Sequence, residues 1–370
     1  MIRRVLVTGS HGFIGKNLAW RMRKEAGIEV LEFVRGYSDS DLTELLSIAD
    51  AVVHLAGENR PVDEHAFIEN NIGLTQRLCQ AVQGLGIFIP VLFSSSTQAE
   101  IDNPYGRSKL AAEHALKQLA TEHGNPVAIY RLPGVFGKWC KPSYNSVVAT
   151  FCYNKANDLP VQINDPDFSL RLVYIDDVVD SFLARLNAGW LHLEYPSIIP
   201  EFRITLGQLS EQIDAFRNSR TSLMTERVGR GLSRALYSTY LSYLPIEASS
   251  FAVPMHSDSR GVFIEMLKTP DCGQFSCFTA HSGVTRGGHY HHTKTEKFLV
   301  IKGVARFKFR NVLTGDTYEL DTSDEKAEIV ETLPGWTHDI TNIGTEEMVV
   351  MLWANEVFDR KRPDTFADPL

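Results

Sequence analysis

The 370-residue sequence predicts an α/β doubly wound parallel sheet followed by an all-β barrel. Short apolar runs alternate with helical patterns through the first part of the chain, and a glycine-spaced turn closes the first of them. Beyond residue 251 the texture changes to short strands separated by glycine and proline turns. A chain of this length exceeds the size at which one hydrophobic core keeps growing, so two domains are expected.

The apolar runs at 5–8, 30–34, 51–55, 91–94 and 127–132 are separated by helical stretches, the βαβ pattern of a parallel sheet covered on both faces. From 206 to 244 the pattern is mostly helical. Pro245 and the polar stretch Glu247-Ala248-Ser249-Ser250 read as a connector, which sets the expected domains at 1–245 and 251–370. In the second domain, strands are expected at 274–280, 296–301, 305–310, 327–331 and 348–353.

Composition narrows the function. A hydrophobic fraction of 44% and a charged fraction of 22% describe an ordinary globular chain. The net charge of -8 disfavours phosphate backbones and anionic lipid surfaces, so no nucleic-acid partner is expected. The five cysteines, Cys79, Cys140, Cys152, Cys272 and Cys277, are scattered and never form C-x-x-C, which suits a reducing, cytoplasmic setting. The segment beginning Met1-Ile2-Arg3-Arg4 turns into a strand and a glycine turn before any signal-like apolar core forms. No stretch approaches the roughly 20 apolar residues that cross a bilayer; no membrane insertion is expected.

The first strand runs into Thr8-Gly9-Ser10-His11-Gly12-Phe13-Ile14-Gly15, a Gly-x-x-Gly-x-x-Gly turn at a strand-to-helix junction. Such glycines permit a tight turn and close backbone approach, and the following helix offers free N–H groups to a pyrophosphate. Gly9, Gly12, Phe13, Ile14 and Gly15 are therefore expected to hold a dinucleotide. The second strand ends in Arg35 where an NAD site usually has an acidic residue, which favours NADPH through its 2′-phosphate; Glu32 lies further inside that strand.

Tyr105-Gly106-Arg107-Ser108-Lys109 places a phenol and an ammonium on one helical face. An ammonium beside a phenol stabilises the phenolate, so the pair can donate a proton to a carbonyl that receives hydride. With Phe93-Ser94-Ser95-Ser96 at a preceding strand end, residues 1–245 resemble the extended short-chain dehydrogenase/reductase superfamily, a Rossmann-type group that includes nucleotide-sugar epimerases, dehydratases and reductases. The resemblance implies Ser96, with Ser95 as second choice, on the keto oxygen, Tyr105 as acid and Lys109 as its tuner and ribose ligand. It also implies that His54-Leu55-Ala56-Gly57 flanks the cofactor, through Leu55, Ala56 and Gly57, and that Asn71, Arg131 and Arg171 lie toward the substrate. Dehydratases of the group carry an acidic pair after the catalytic serine or threonine. Here Thr97-Gln98 stand in that place, which favours ketone reduction over water elimination, although Asp102 is near in sequence.

A second chemistry lies in Gly288-His289-Tyr290-His291-His292-Thr293-Lys294-Thr295-Glu296 and Pro334-Gly335-Trp336-Thr337-His338. His289 and His291 are two apart on an expected strand and point to one side, while Glu296 and His338 can converge from neighbouring strands. Three imidazoles and a carboxylate suit Zn²⁺, Mn²⁺ or Fe²⁺, with zinc the leading choice; His292 faces the other way. These segments resemble the cupin motif. Asp258-Ser259-Arg260-Gly261-Val262-Phe263-Ile264-Glu265 resembles the deoxysugar 3,5-epimerase branch of cupins, which implies Arg260 and Glu265 as substrate ligands and an imidazole, His289, as base. A histidine that ligates a metal through one nitrogen cannot use that nitrogen as a base, so the roles of His289 compete.

The order of the two parts, with Asn103-Pro104-Tyr105-Gly106 and His291-His292-Thr293-Lys294, resembles a bifunctional family of capsular-polysaccharide biosynthesis enzymes that form UDP-2-acetamido-2,6-dideoxy-L-talose. The resemblance implies C3 epimerisation of a UDP-4-keto sugar in the barrel, NADPH reduction at C4 in the Rossmann part, and a homodimer. Two alternatives stand beside it. One is a monofunctional reductase whose barrel only binds metal and mediates association; the other is an NADPH-sensing regulator, which has no use for a tuned proton donor.

Overall fold

A computed structural model of the chain describes residues 2–24, 26–60, 63–326 and 328–370. They form two compact units, Met1–Ile213 with Ala235–Pro245, and Asp214–Arg234 with Ile246–Leu370. One passage between the units falls at the expected connector. The stretch 214–234, expected in the first domain, groups with the β-rich unit because its backbone bonds there. Lys268 N donates to Leu223 O and Thr225 N to Lys268 O, both at 2.8 Å.

The first unit contains strands β1 (Arg4–Thr8), β2 (Glu29–Phe33), β3 (Ala51–His54), β4 (Val91–Ser96), β5 (Val127–Leu132), β6 (Gly134–Phe136), β7 (Ser169–Tyr174), β8 (Leu193–Glu194) and β9 (Phe202–Thr205). Helices α1 (Phe13–Lys24), α2 (Asp39–Ile48), α3 (His65–Phe67), α4 (Leu74–Leu85), α5 (Pro104–His123), α6 (Val147–Ala156) and α7 (Ile175–Asn187) alternate with them, and α8 (Leu206–Ser222) and α9 (Gly231–Leu241) each run across a unit boundary. The main sheet has the order β2-β1-β3-β4-β5-β8, all parallel. The order reverses between β1 and β3, and in open α/β sheets ligands bind beyond the carboxyl ends of the strands at such a point.

Period-two alternation explains the two-sided burial. Val5, Val7, Ala51, Val53, Leu92, Ala128 and Tyr130 face α1 and α7, packing against Leu18, Met22, Val178 and Phe182. The intervening Leu6, Val52, Val91, Phe93, Val127 and Ile129 face α2, α4 and α5. Every side chain of β3 and β4 is buried, which is why these strands read as apolar or small-residue runs, broken only by His54, whose ring bonds Thr8 and Thr75.

The second unit contains β10 (Met255–Asp258), β11 (Gly261–Lys268), β12 (Gln274–Ala280), β13 (Thr285–Tyr290), β14 (Glu296–Lys302), β15 (Val304–Asn311), β16 (Thr317–Ser323), β17 (Ile329–Glu331), β18 (Trp336–Asn342), β19 (Met348–Ala354) and β20 (Phe366–Ala367). Ala327, first in the run expected at 327–331, lies outside the described residues. Two antiparallel sheets, β10-β11-β12-β19-β14-β17 and β16-β15-β18-β13-β20, enclose a core that includes Phe278, Phe298, Phe307, Phe309, Ile340 and Val350. Burial alternates residue by residue along β12 and through most of β14 and β15, as a sheet with one buried face requires.

The glycine turn fastens α1 to the sheet. Gly9 has φ +74°, and a methyl group on Gly15 would lie 2.2 Å from Gly9 O, far inside contact distance with backbone that cannot yield. Gly15→Ala is expected to lower unfolding free energy by about 1–3 kcal/mol, the usual cost of overpacking. The same variant should weaken dinucleotide binding, measured by denaturant titration and by cofactor fluorescence; wild-type values in both would contradict the close-approach argument.

Candidate functional site

A cavity of about 650 Å³ opens at the carboxyl edge of the parallel sheet in the first unit. Gly9, Gly12, Phe13, Ile14, Gly15, Arg35, Leu55 and Gly57 line it on the side of the glycine turn, and Ser96, Tyr105 and Lys109 line it at the end of β4 and the start of α5. Ala56 is not in the lining. Its backbone N would lie 2.7 Å from a methyl group on Gly9, so its part is to support the turn.

Local sequence explains how α5 delivers its residues. Asn103 caps the helix by accepting from Gly106 N at 2.8 Å, and Pro104 sits in the first turn, where a missing N–H costs nothing. A methyl group on Gly106 would lie 2.2 Å from Gln98 O, so glycine lets the helix start against the turn that follows β4. Ser96 closes β4 and accepts from Gln98 N at 3.1 Å, and its hydroxyl also hydrogen-bonds with Tyr105. Ser95 is used otherwise: its Oγ donates to buried Glu113 at 2.6 Å.

The titration behaviour departs from the sequence expectation. Burial pushes the Tyr105 phenol up to about 12, against a lowering contribution from Ser96, and Lys109 is not among the groups that lower it. The reason is geometric. Lys109 Nζ donates to Ser94 O at 3.0 Å and packs over the Phe93 ring, and burial brings its own pKa down to about 8, with Glu113 opposing that fall. Tyr105 is thus held protonated near neutral pH, the state that donates a proton.

Several residues expected around the ligands are engaged elsewhere. Asn71 lies in a π-helical turn, Ile68–Gly73, and is 2% exposed. It accepts from Glu58 N at 2.7 Å and donates to Ser108 Oγ at 2.9 Å, so it braces α5 and does not line the cavity. Arg131 pairs in bidentate fashion with Glu113 at 2.9 and 2.7 Å and also reaches Glu100. Arg171 pairs in the same way with Glu201, both contacts at 2.8 Å. Neither arginine lines the cavity, although Leu132, Pro133, Gly134 and Val135, just after Arg131, do. Arg35 lines it and donates to Glu58 at 2.9 Å, whereas Glu32 bonds Ser10 and His11 at 2.9 Å and stays outside the lining. Asp102 pairs with Arg107 and is likewise absent from the lining. Sequence reasoning missed Lys16, Glu58, Lys141 and Tyr144, all of which line the cavity. Glu113 was legible in principle, four residues after Lys109 on the same helix.

In the second unit His289, His291, Glu296 and His338 bring one donor atom each to within 4.8 Å of one another. The bulge at Gly287 and Gly288, with φ +106° and +72°, re-aims β13 so that His289 faces His338, their rings 4.8 Å apart. His292 is exposed and packs on Phe366. Glu296 Oε2 stands 3.3 Å from Nε2 of both His291 and His338, and buried Lys294 bonds its other oxygen at 2.8 Å. These partners outweigh desolvation and hold the Glu296 carboxyl far below the usual range. Burial and then His338 push His289 down to about 4, leaving its imidazole neutral. A carboxylate beside three imidazoles gathers four donor atoms at one point, the donor set that suits a divalent cation. Buried His338 Nε2 has no well-formed hydrogen bond, and that is a further sign of fit. Arg260 pairs with Asp258 and Glu265 with Lys268, and Glu265 is not a member of this cluster.

A glycine-turn dinucleotide cavity holding a serine, tyrosine and lysine defines a nicotinamide-dependent oxidoreductase fold, here joined to a cupin-type barrel. The chain belongs to the NAD dependent epimerase/dehydratase family, whose model matches residues 5–190, and residues 256–366 match the polysaccharide biosynthesis C-terminal domain. A nicotinamide dinucleotide is therefore its cofactor. The chain is 59% identical over 364 residues, 98% of each protein, to a Pseudomonas aeruginosa UDP-2-acetamido-2,6-beta-L-arabino-hexul-4-ose reductase. It is 40% identical to the crystal structure of the capsular polysaccharide assembling protein CapF from Staphylococcus aureus, with a TM-score of 0.90 over 99% of this chain and 100% of that one. A GDP-6-deoxy-D-mannose reductase of Pseudomonas aeruginosa is 28% identical over 226 residues, 51% of this chain and 72% of that protein. Among the described residues no helix is long and apolar enough to cross a membrane.

The Glu113–Arg131 pair yields a test that needs no substrate. Leucine at 113 would leave the Arg131 guanidinium without its bidentate partner and Ser95 without its acceptor. Glu113→Leu is expected to cost about 1–3 kcal/mol of unfolding free energy, the cost of leaving a partly buried donor set without its acceptor while Glu100 still pairs with Arg131. A loss below about 1 kcal/mol in urea would show that Arg131 finds compensation in Glu100.

Proposed function

We propose that the chain is a bifunctional nucleotide-sugar enzyme acting on a UDP-2-acetamido-2,6-dideoxy-4-hexulose. In this reading residues 251–370 invert C3 and residues 1–245 reduce the C4 ketone with NADPH, giving UDP-2-acetamido-2,6-dideoxy-L-talose for capsule or O-antigen synthesis. The carrying observation is the cavity shared by the glycine turn, Ser96, Tyr105 and Lys109. Support for the substrate comes from the likeness to the Pseudomonas aeruginosa reductase along nearly the whole chain. Arg35 at the cavity rim, with Glu32 outside it, supports NADPH.

When bound, the nicotinamide supplies the hydride that reduces C4. Ser96 orients the ketone by hydrogen-bonding its oxygen, and Tyr105 Oη passes its proton to that oxygen as C4 becomes tetrahedral. Lys109 offsets the phenolate left behind until solvent reprotonates it. His289, His291, Glu296 and His338 are the residues to hold a divalent ion, zinc by donor type, which supplies Lewis acidity toward a carbonyl or fixes the barrel. His289 cannot serve both as metal ligand and as base of the C3 step through one nitrogen.

Two experiments test this. Incubation of the ketone with the chain in deuterated water without NADPH should place deuterium at C3, read by proton NMR; an unlabelled C3 favours the monofunctional alternative. Tyr105→Phe should lower reductase kcat by about 10²–10⁴-fold, whereas full turnover would remove Tyr105 from the role of acid and reopen the sensor alternative.

The pH dependence follows from Lys109. Its ammonium is present below about pH 8 and lost above it, so kcat/KM should fall as pH rises through that value. Glu113 opposes the loss, so Glu113→Gln should move the alkaline limb to lower pH. An unmoved limb would assign the fall to another group.

A further inference from the structure

The metal-ligand strands are tied together by a segment far away in sequence, residues 364–368. Asp364 Oδ1 accepts from His292 N at 2.9 Å, and Oδ2 accepts from Thr293 N at 2.7 Å, Lys294 N at 2.8 Å and Thr293 Oγ1 at 3.0 Å. One carboxylate therefore fills the concavity formed by three successive backbone N–H groups, directly between His291 and Glu296. The carbonyl oxygen of Asp364 also bonds His291 Nδ1 at 2.5 Å. A carbonyl only accepts, so Nδ1 carries the proton and Nε2 is left to face Glu296.

The segment continues along both histidine strands. β20 pairs with β13, setting Phe366 opposite Tyr290 and Ala367 opposite His289, and the Phe366 ring stacks on Tyr290 at 5.3 Å. Asp368 N donates to Gly288 O at 2.9 Å, and the Asp368 carboxylate bonds Arg310 and Thr337, the neighbour of His338. Each histidine ligand thus has a strap contact on itself or on an adjacent residue.

We infer that Asp364 is a positioning residue for the metal centre and that residues 364–368 are a strap presetting the ligand geometry and the His291 tautomer. The inference rests on the reading of His289, His291, Glu296 and His338 as metal ligands. Partners that orient ligands in this way typically account for about 10–100-fold in metal affinity.

The test is a zinc titration of the full metal-stripped chain against a chromophoric chelator, for wild type, Asp364→Ala and Asp364→Asn. Alanine removes all the side-chain acceptors and keeps the carbonyl, so zinc should bind about 10–100-fold more weakly, with one equivalent still bound at saturation. Asparagine keeps one oxygen acceptor and should fall between. Wild-type affinity in both variants would overturn the inference. So would a loss of stoichiometry that parallels a lowered melting temperature of the metal-free variants, because Asp364 would then serve the fold alone. Failure of the wild-type chain itself to bind zinc would overturn the metal reading, a result distinguishable from either of these.

Discussion

The reducing site depends on a carboxylate that never enters it. Glu113 is fully buried on the inner face of α5, where it accepts from Ser95 and pairs with both ends of the Arg131 fork. Such a charge is tolerable only when its lone pairs are met. Meeting them fixes the carboxyl ends of β4 and β5 against the helix that carries Tyr105 and Lys109. The buried ammonium of Lys109 gains from the same negative charge one helical turn away. A single pairing thus sets strand ends, helix position and the charge of the group beside the phenol.

The β-rich unit solves a similar problem with different parts. Its clustered donors are His289 on β13, His291 just beyond the end of that strand, Glu296 on β14 and His338 on β18, and strand pairing alone fixes register and leaves ring orientation free. Glu296 is oriented by Lys294 on one oxygen, His291 by a backbone carbonyl and His338 by its Nδ1 contact with Trp336 O at 3.3 Å. Under the proposed function, then, the reacting or ligating atoms of both units are presented by groups that are themselves held from behind by buried hydrogen bonds.

What the sequence disclosed follows from the range of each interaction. The glycine turn, Tyr105 with Lys109, and the His289–Glu296 run are local patterns, and their spacing on a helix or strand is enough to read them. The fates of Arg131 and Arg171 were not legible, because a guanidinium in a substrate-side motif looks the same whether its partner is a ligand or, as here, Glu113 or Glu201. Asn71 likewise reads as a ligand residue until the π-helical turn shows it bracing Ser108. Asp364 gives no local signal at all, since its partners lie about 70 residues earlier and are backbone N–H groups that any residue supplies. That 214–234 groups with the β-rich unit, and not with the first domain as expected, was illegible for the same reason, a backbone pairing to Lys268 that no side-chain pattern announces.

Under the proposed function the two chemistries share one carbonyl, and that sharing orders them. A C4 ketone acidifies the C3–H bond, so inversion at C3 is possible only while the ketone survives. Reduction turns C4 into an alcohol carbon and withdraws that acidity, making the hydride step the one that locks the configuration at C3. A reductase faster than the epimerase would trap the wrong sugar unless its cavity discriminated at C3. In that reading the discrimination must come from the rest of the cavity lining, since Ser96 and Tyr105 both address the oxygen on C4 and are indifferent to its neighbour. Leu132 to Val135, Trp139 to Lys141 and Tyr144 line the same cavity and are the positions at which that selectivity is to be sought.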